Sequence, residues 1–164
     1  MTFTIEKGKH YSDRFFHKLF NLVNFTSFNT WTIIFDESCQ YELLGPDQYD
    51  VNKLIGFSIG ANHHKESARF GWRSVANEIE ISAYAYVNSK RIIEPIAKVP
   101  LNTNIDLFLD VEQHAYRFAV AFSTGPHVET KIPKTTPFAI GYSLWPYFGG
   151  NCPAPHKMKM EIFN

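Results

Sequence analysis

The sequence predicts an all-β protein, a sandwich of two antiparallel sheets with at most one short helix near the N-terminus. Three observations carry that expectation. Apolar residues alternate with polar or small ones along the 164-residue chain, which is the period of a half-buried strand. Turn-forming clusters interrupt the alternation about every eight to twelve residues, the rhythm of a β-sandwich. Aromatic residues make up 16% of the chain, and such side chains favour pleated, half-buried surfaces.

The elements can be read in order. In YSDRFFHKLFNLV, Ser12 is a candidate helix cap, and Phe15, Phe16, Leu19, Phe20 and Val23 have helical spacing; a bulged strand fits nearly as well. Trp31, Ile33 and Phe35 share one face of the next strand, and Ile55, Phe57 and Ile59 one face of another. In SARFGWRS the alternation sends Ala68, Phe70 and Trp72 inward and Arg69, Gly71 and Arg73 outward. The longest run, EIEISAYAYV, buries Ile79, Ile81, Ala83, Ala85 and Val87 and leaves Glu78, Glu80, Ser82, Tyr84 and Tyr86 on the opposite side. VNSKRI reads as a tight hairpin around Asn88 and Ser89. Three further strands follow, with inward residues Ile105 to Val111, Tyr116 to Phe122 and Phe138 to Leu144 taken at every second position, and Met158, Met160 and Ile162 close the chain. No repeat or linker divides the sequence, so residues 1–164 are expected to form a single domain.

Composition removes several classes of function. Lys plus Arg and Asp plus Glu both number 16, so the chain lacks the basic excess of a nucleic-acid binder. No apolar run is long enough to predict a membrane-spanning helix. The N-terminal MTFTIEKGKHYS lacks the basic and apolar regions of a Sec signal peptide, which predicts cytoplasmic synthesis and is compatible with virion association. Cys39 and Cys152 are far apart without metal-ligand spacing, and two free buried thiols are expected rather than a disulfide. His63 and His64 are adjacent; on an extended chain they would point to opposite sides, so they read as loop residues and no metal is expected. No phosphate-cradling glycine loop, serine elbow or zinc motif occurs, and no cofactor is expected.

AYAYVNSKRI, followed by IAKVPLNTNIDLFLDVEQHAYRFAVA, resembles the hairpin and sheet core of a concanavalin A-like jelly roll. Two phrases, DQYDVNKLIGFSIGANHHKESARFGWRS and YSLWPYFGGNCPAPHKMKMEI, resemble small uncharacterised β-sandwich proteins of Bacteroidetes and of their phages. The resemblance implies a jelly-roll fold whose outer, concave sheet face is where related proteins hold sugars. It also implies a rival role, a virion component (capsid, tail or fibre) with protein partners or a homo-oligomeric assembly.

On that face the alternation places Arg69, Arg73, Glu80, Tyr84 and Tyr86. Aromatic rings cover the C–H faces of a pyranose, and guanidinium groups bond hydroxyls or a uronate in pairs, so these are the candidate glycan-binding residues. Gly71 is expected to leave space between the two arginines. The same residues admit a structural reading in which Arg69 or Arg73 forms a cross-strand ion pair with Glu80. In WPYFGGNCPAPH, Gly149-Gly150 and Pro153 and Pro155 predict a rigid crossover between strands. Tyr147 and Phe148 point opposite ways, one into the core and one to a rim, and Trp145 or Tyr147 is expected at the edge of the binding face. SARFGWRS and PYFGG also resemble the arginine and tyrosine strands of alginate-lyase-like jelly rolls. The Gln-x-His element of those enzymes is missing, however, with EQH at 112–114 in a turn, and no catalytic residue is assigned. The expected function is therefore a non-catalytic, lectin-like module; a polysaccharide lyase or glycoside hydrolase ranks behind the virion role.

Overall fold

A computed structural model describes residues 1–13, 22–24, 28–122, 125, 127–135 and 140–164. Its strands are β1 (Thr2–Ile5), β2 (Leu22–Asn24), β3 (Phe28–Phe35), β4 (Asn52–Ile59), β5 (Ser67–Val75), β6 (Glu78–Val87), β7 (Lys90–Pro100), β8 (Ile105–Val111), β9 (Ala115–Phe122), β10 (Val128–Pro133), β11 (Ile140–Leu144) and β12 (Met158–Phe163). Among the described residues they form two six-stranded sheets, in the orders β1-β12-β3-β8-β9-β10 and β2-β11-β4-β5-β6-β7. Every pairing is antiparallel, so the predicted jelly-roll sandwich is the fold. The described helical turns are two short 3-10 segments, Glu37–Cys39 and Gly45–Tyr49. The helix or bulged strand read between residues 12 and 23, and the inward Phe138, fall wholly or mostly outside the described residues.

The aromatic excess is spent between the sheets. Trp31 meets Phe57 and Phe35 meets Trp72, both with ring centroids 5.5 Å apart, while Phe70 stands edge-on to Phe118 at 5.2 Å. Each pair joins a strand of one sheet to a strand of the other, adding aromatic geometry to simple area burial. The predicted inward faces of β5, β6, β8 and β12 are buried, including Trp72, Ile81, Leu107 and Met160 at 0% exposure, except that Val87 at the end of β6 is only half-buried. At one end of the core, Glu66 is buried and accepts a 2.6 Å hydrogen bond from the Tyr116 hydroxyl.

The hairpin turn at Asn88-Ser89 has φ of 50° and 64°, the paired left-handed conformation of a type I′ turn. The strand after it was not evident from alternation. Lys90–Pro100 runs for 11 residues and contains Pro95, which cannot donate to a ladder. It is tolerated because β7 lies at the sheet edge and the register slips beside it, between Ile81 and Ser82. Both cysteines are free; Cys39 is buried as expected, but Cys152 is half-exposed, with its thiol donating to Asp47 at 3.1 Å.

Candidate functional site

Strand register builds rows of side chains across the outer face of the second sheet. One row runs Tyr142, Ser58, Ser67, Tyr86, Arg91; the next runs Leu144, Gly56, Arg69, Tyr84, Ile93. In the first row, small residues on β4 and β5 therefore lie between tyrosines on β11 and β6. Two loops raise walls around this depression, one carrying His63 and His64 and the other Tyr147 to Gly150. The result is a cleft of about 480 Å³.

Arg69 lies at its floor. It is 7% exposed, its guanidinium carbon is 5.0 Å from the centre of the Tyr84 ring, and its Nε is buried without a hydrogen-bond partner among the described residues. Burial lowers its pKa, and the nearby Tyr84, Tyr86 and Tyr142 only partly oppose that. Among the described residues, no carboxylate lies within ion-pair distance of Arg69, Lys53 or Arg91, all three of which line the cleft. Lys53 donates to the Gly149 carbonyl at 2.7 Å, and its ammonium is 5.5 Å from the Tyr84 ring and 5.4 Å from the Tyr147 ring. Desolvation first, and Arg69 second, push its pKa down to about 8.

Another wall is aromatic. His63 Nδ1 and the Tyr142 hydroxyl share a 3.0 Å hydrogen bond, and burial, followed by His64 and Arg69, lowers the imidazole pKa to about 4. His64 packs edge-on to Tyr86 at 5.2 Å. Desolvation likewise raises the pKa of Tyr84 and of Tyr147, so both phenols keep their protons.

The WPYFGGN segment supplies the remaining wall. Phe148 is fully buried and stands edge-on to Tyr41 at 4.9 Å, while Tyr147 is half-buried and faces the cleft. Tyr147 exchanges two backbone hydrogen bonds with Lys53, of 2.8 and 2.9 Å. Gly149 has φ of +70°, and a Cβ there would lie 2.2 Å from the Cys152 carbonyl oxygen, so the turn beneath this wall requires glycine. Trp145 also lines the cleft, but it is 8% exposed and stacks on Phe3 at 5.5 Å, so it belongs chiefly to the core.

The structure divides the residues singled out from sequence. Arg69, Tyr84, Tyr86, Trp145 and Tyr147 come together at the cleft, but Arg73 and Glu80 do not line it. Arg73 Nε donates to Glu80 Oε1 at 2.7 Å, the cross-strand ion pair of the structural reading. The space expected over Gly71 is filled: a Cβ at Gly71 would lie 2.4 Å from Cγ1 of Val51. His63 and His64 are also placed differently from the extended-chain expectation. The chain turns at Asn62–Lys65, so both rings face the cleft with centroids 4.2 Å apart. Lys53, Arg91 and Tyr142 were missed. Among the described residues, no group of three or more His, Cys, Asp or Glu converges.

These features define a class: a jelly-roll sandwich whose outer sheet face carries a cationic, tyrosine-lined cleft. No protein-family model matches the sequence, and no curated protein matches it. Among solved structures, the alginate lyase from Klebsiella pneumoniae is similar over 84% of this chain, with a TM-score of 0.65 and 7% identity. The chain spans 58% of the length of that lyase. A functionally unknown protein from Saccharomyces cerevisiae is similar over 99% of this chain and 86% of its own, with a TM-score of 0.54 and 14% identity. The enzymatically active domain of tailspike protein 2 from bacteriophage CBA120 scores 0.45 at 7% identity, over 86% of this chain and 23% of its own. At these identities the likeness to the first two is one of fold.

Proposed function

We propose that the cleft binds an acidic glycan and that the domain acts as a non-catalytic, lectin-like module. The buried Arg69 carries this reading. A guanidinium held out of water with one donor unpaired, and with no carboxylate to neutralise it among the described residues, is poised for an external anion. Lys53 and Arg91 add positive charge along the same cleft. Tyr84, Tyr86, Tyr142 and Tyr147 supply amphipathic rings suited to the mixed apolar and hydroxylated faces of a sugar. A uronate-containing polysaccharide presents both chemistries in each residue.

A second reading, cleavage of such a chain by β-elimination, is favoured by the hydrogen-bonded His63–Tyr142 pair. His63 is unprotonated at pH 7 and free to accept a proton, although its lowered pKa of about 4 makes it a weak base, and an arginine opposing the uronate carboxylate would acidify the adjacent C–H. Retention of alginate, pectate and neutral polysaccharides in affinity gels, with ultraviolet absorbance followed for unsaturated products, separates the two. Retention of acidic glycans without new absorbance supports the binding module. New absorbance that disappears in His63→Ala establishes the elimination, and retention of no glycan overturns both.

A further inference from the structure

We propose that Lys53 is a nucleophilic amine that captures small carbonyl compounds bearing an anionic group, holding them in the cleft as an imine. This rests on the reading of the cleft as an anion site and adds covalent chemistry to it. The geometry isolates an amine beside two guanidinium groups. Lys53 is partly buried, fixed by its 2.7 Å hydrogen bond to the Gly149 carbonyl, and flanked by the rings of Tyr84 and Tyr147 at 5.5 and 5.4 Å. Arg69 from β5 and Arg91 from β7 line the same cavity and disfavour its protonation; Asp50 is the acidic group that acts in the other direction, and it forms no ion pair with Lys53. Lysines desolvated beside other cations are the ones that become nucleophiles near neutral pH.

The proposed chemistry balances without a co-reactant. The neutral Nζ adds its lone pair to the carbonyl carbon, and the carbonyl oxygen takes up a proton as the nitrogen gives one up, forming a carbinolamine. The hydroxyl then leaves as water with a second proton, and the nitrogen loses its remaining N–H proton to give the imine. Tyr84 and Tyr147, both protonated phenols, hold their rings 5.5 and 5.4 Å from the amine, and solvent exchanges these protons. The two arginines would hold the anionic arm of the ligand. An acidic sugar with a free reducing end belongs to this class, since its open-chain form carries both an aldehyde and a carboxylate.

With a pKa of about 8, roughly half of Lys53 is unprotonated at pH 8, against roughly 0.4% of an ordinary lysine. Lower basicity offsets part of that advantage. The test treats the intact protein with glyoxylate or, in parallel, with uncharged propanal, each with cyanoborohydride at pH 8. Peptide mass spectrometry then gives the labelling rate at every lysine. Glyoxylate is expected to mark Lys53 about tenfold or more faster than the exposed Lys7, Lys65 and Lys90. Propanal should favour Lys53 less, and Arg91→Ala, at an exposed position, should reduce the advantage of glyoxylate over propanal. Lys53 labelling no faster than the exposed lysines overturns the proposal, and equal preference for both aldehydes overturns its anionic part. Glycan retention measured on the same preparation keeps the two readings apart. Retention with ordinary Lys53 reactivity removes the imine chemistry alone, and selective labelling without retention removes the glycan alone.

Discussion

Replacing Arg69 with Met should make the protein more stable and unable to hold an acidic glycan. The side chain is 7% exposed, so its charge is largely desolvated, and its Nε lacks a partner among the described residues. An unsatisfied buried donor costs about 1–3 kcal/mol, and the buried charge adds to that. Against this, the substitution removes the guanidinium's contact with the Tyr84 ring at 5.0 Å, a type worth about 0.5–2 kcal/mol, and its side-chain hydrogen bond with Tyr84. Met keeps most of the apolar stem. The balance favours the variant by about 1–2 kcal/mol, within the range seen when buried ionic groups give way to packed apolar ones. For a chain of this length that raises Tm by roughly 2–8 °C. Losing a desolvated charge-assisted bond to the ligand costs about 2 kcal/mol or more, so affinity should fall at least about 30-fold. Urea denaturation and calorimetric titration with alginate oligomers read the two effects. A variant destabilised by more than about 1 kcal/mol would make Arg69 a structural strut and remove the case for an anion site.

Arg73→Ala should leave glycan retention unchanged and cost less than about 1 kcal/mol in urea denaturation, because the ion pair with Glu80 lies outside the cleft and is partly exposed. Phe148→Ala should cost about 3–5 kcal/mol by the same assay, since the ring is fully buried against Tyr41 and Trp72. Titrating pH from 7 to 9 should weaken retention of an acidic glycan as Lys53 loses its proton near pH 8, and Lys53→Met should flatten that profile. The same shift fixes the sign of a stability change. Below about pH 8 both states hold the proton and the fold bears the full desolvation cost; between about 8 and 10.4 the unfolded chain binds more protons, so this group's contribution to stability rises with pH. Tyr116→Phe should cost about 1–3 kcal/mol by leaving the buried Glu66 carboxylate without its 2.6 Å donor.

Much of the cleft was legible because a strand's two-residue period is rigid. Once Phe70 and Trp72 face the core, Arg69 faces the other way, and the same logic puts Tyr84 and Tyr86 on the outer face of the neighbouring strand. Lys53 escaped because strict alternation groups it with the inward Ile55 and Phe57. The register slips between Lys53 and Gly56, and this bulge returns the lysine to the outer face opposite Gly71. A lysine in an inward register was the available signal for that bulge. Tyr142 was grouped with apolar neighbours, and its role depends on a hydrogen bond to a loop 79 residues away. Arg73 and Glu80 share parity with the cleft residues but are excluded by Val51, a neighbour that local patterning does not encode. Parity was readable; which remote side chain covers which glycine was not.

The backbone clamp around Tyr147 also makes the cleft an energetic relay. Tyr147 is paired to Lys53 on one side, and next to it the Phe148 amide donates to the His10 carbonyl at 2.7 Å while His10 Nδ1 bonds the Phe148 carbonyl at 2.9 Å. The wall that meets a ligand and the segment around His10 therefore form one docked unit. Thermodynamic reciprocity then requires that whatever free energy a ligand gives to the closed wall, it also gives to the docking of that N-terminal segment. Occupancy of the cleft should be readable at a distance, as slower amide exchange at Phe148 and slower proteolysis around residues 9–12, and undocking His10 should loosen the grip on the ligand by the same factor.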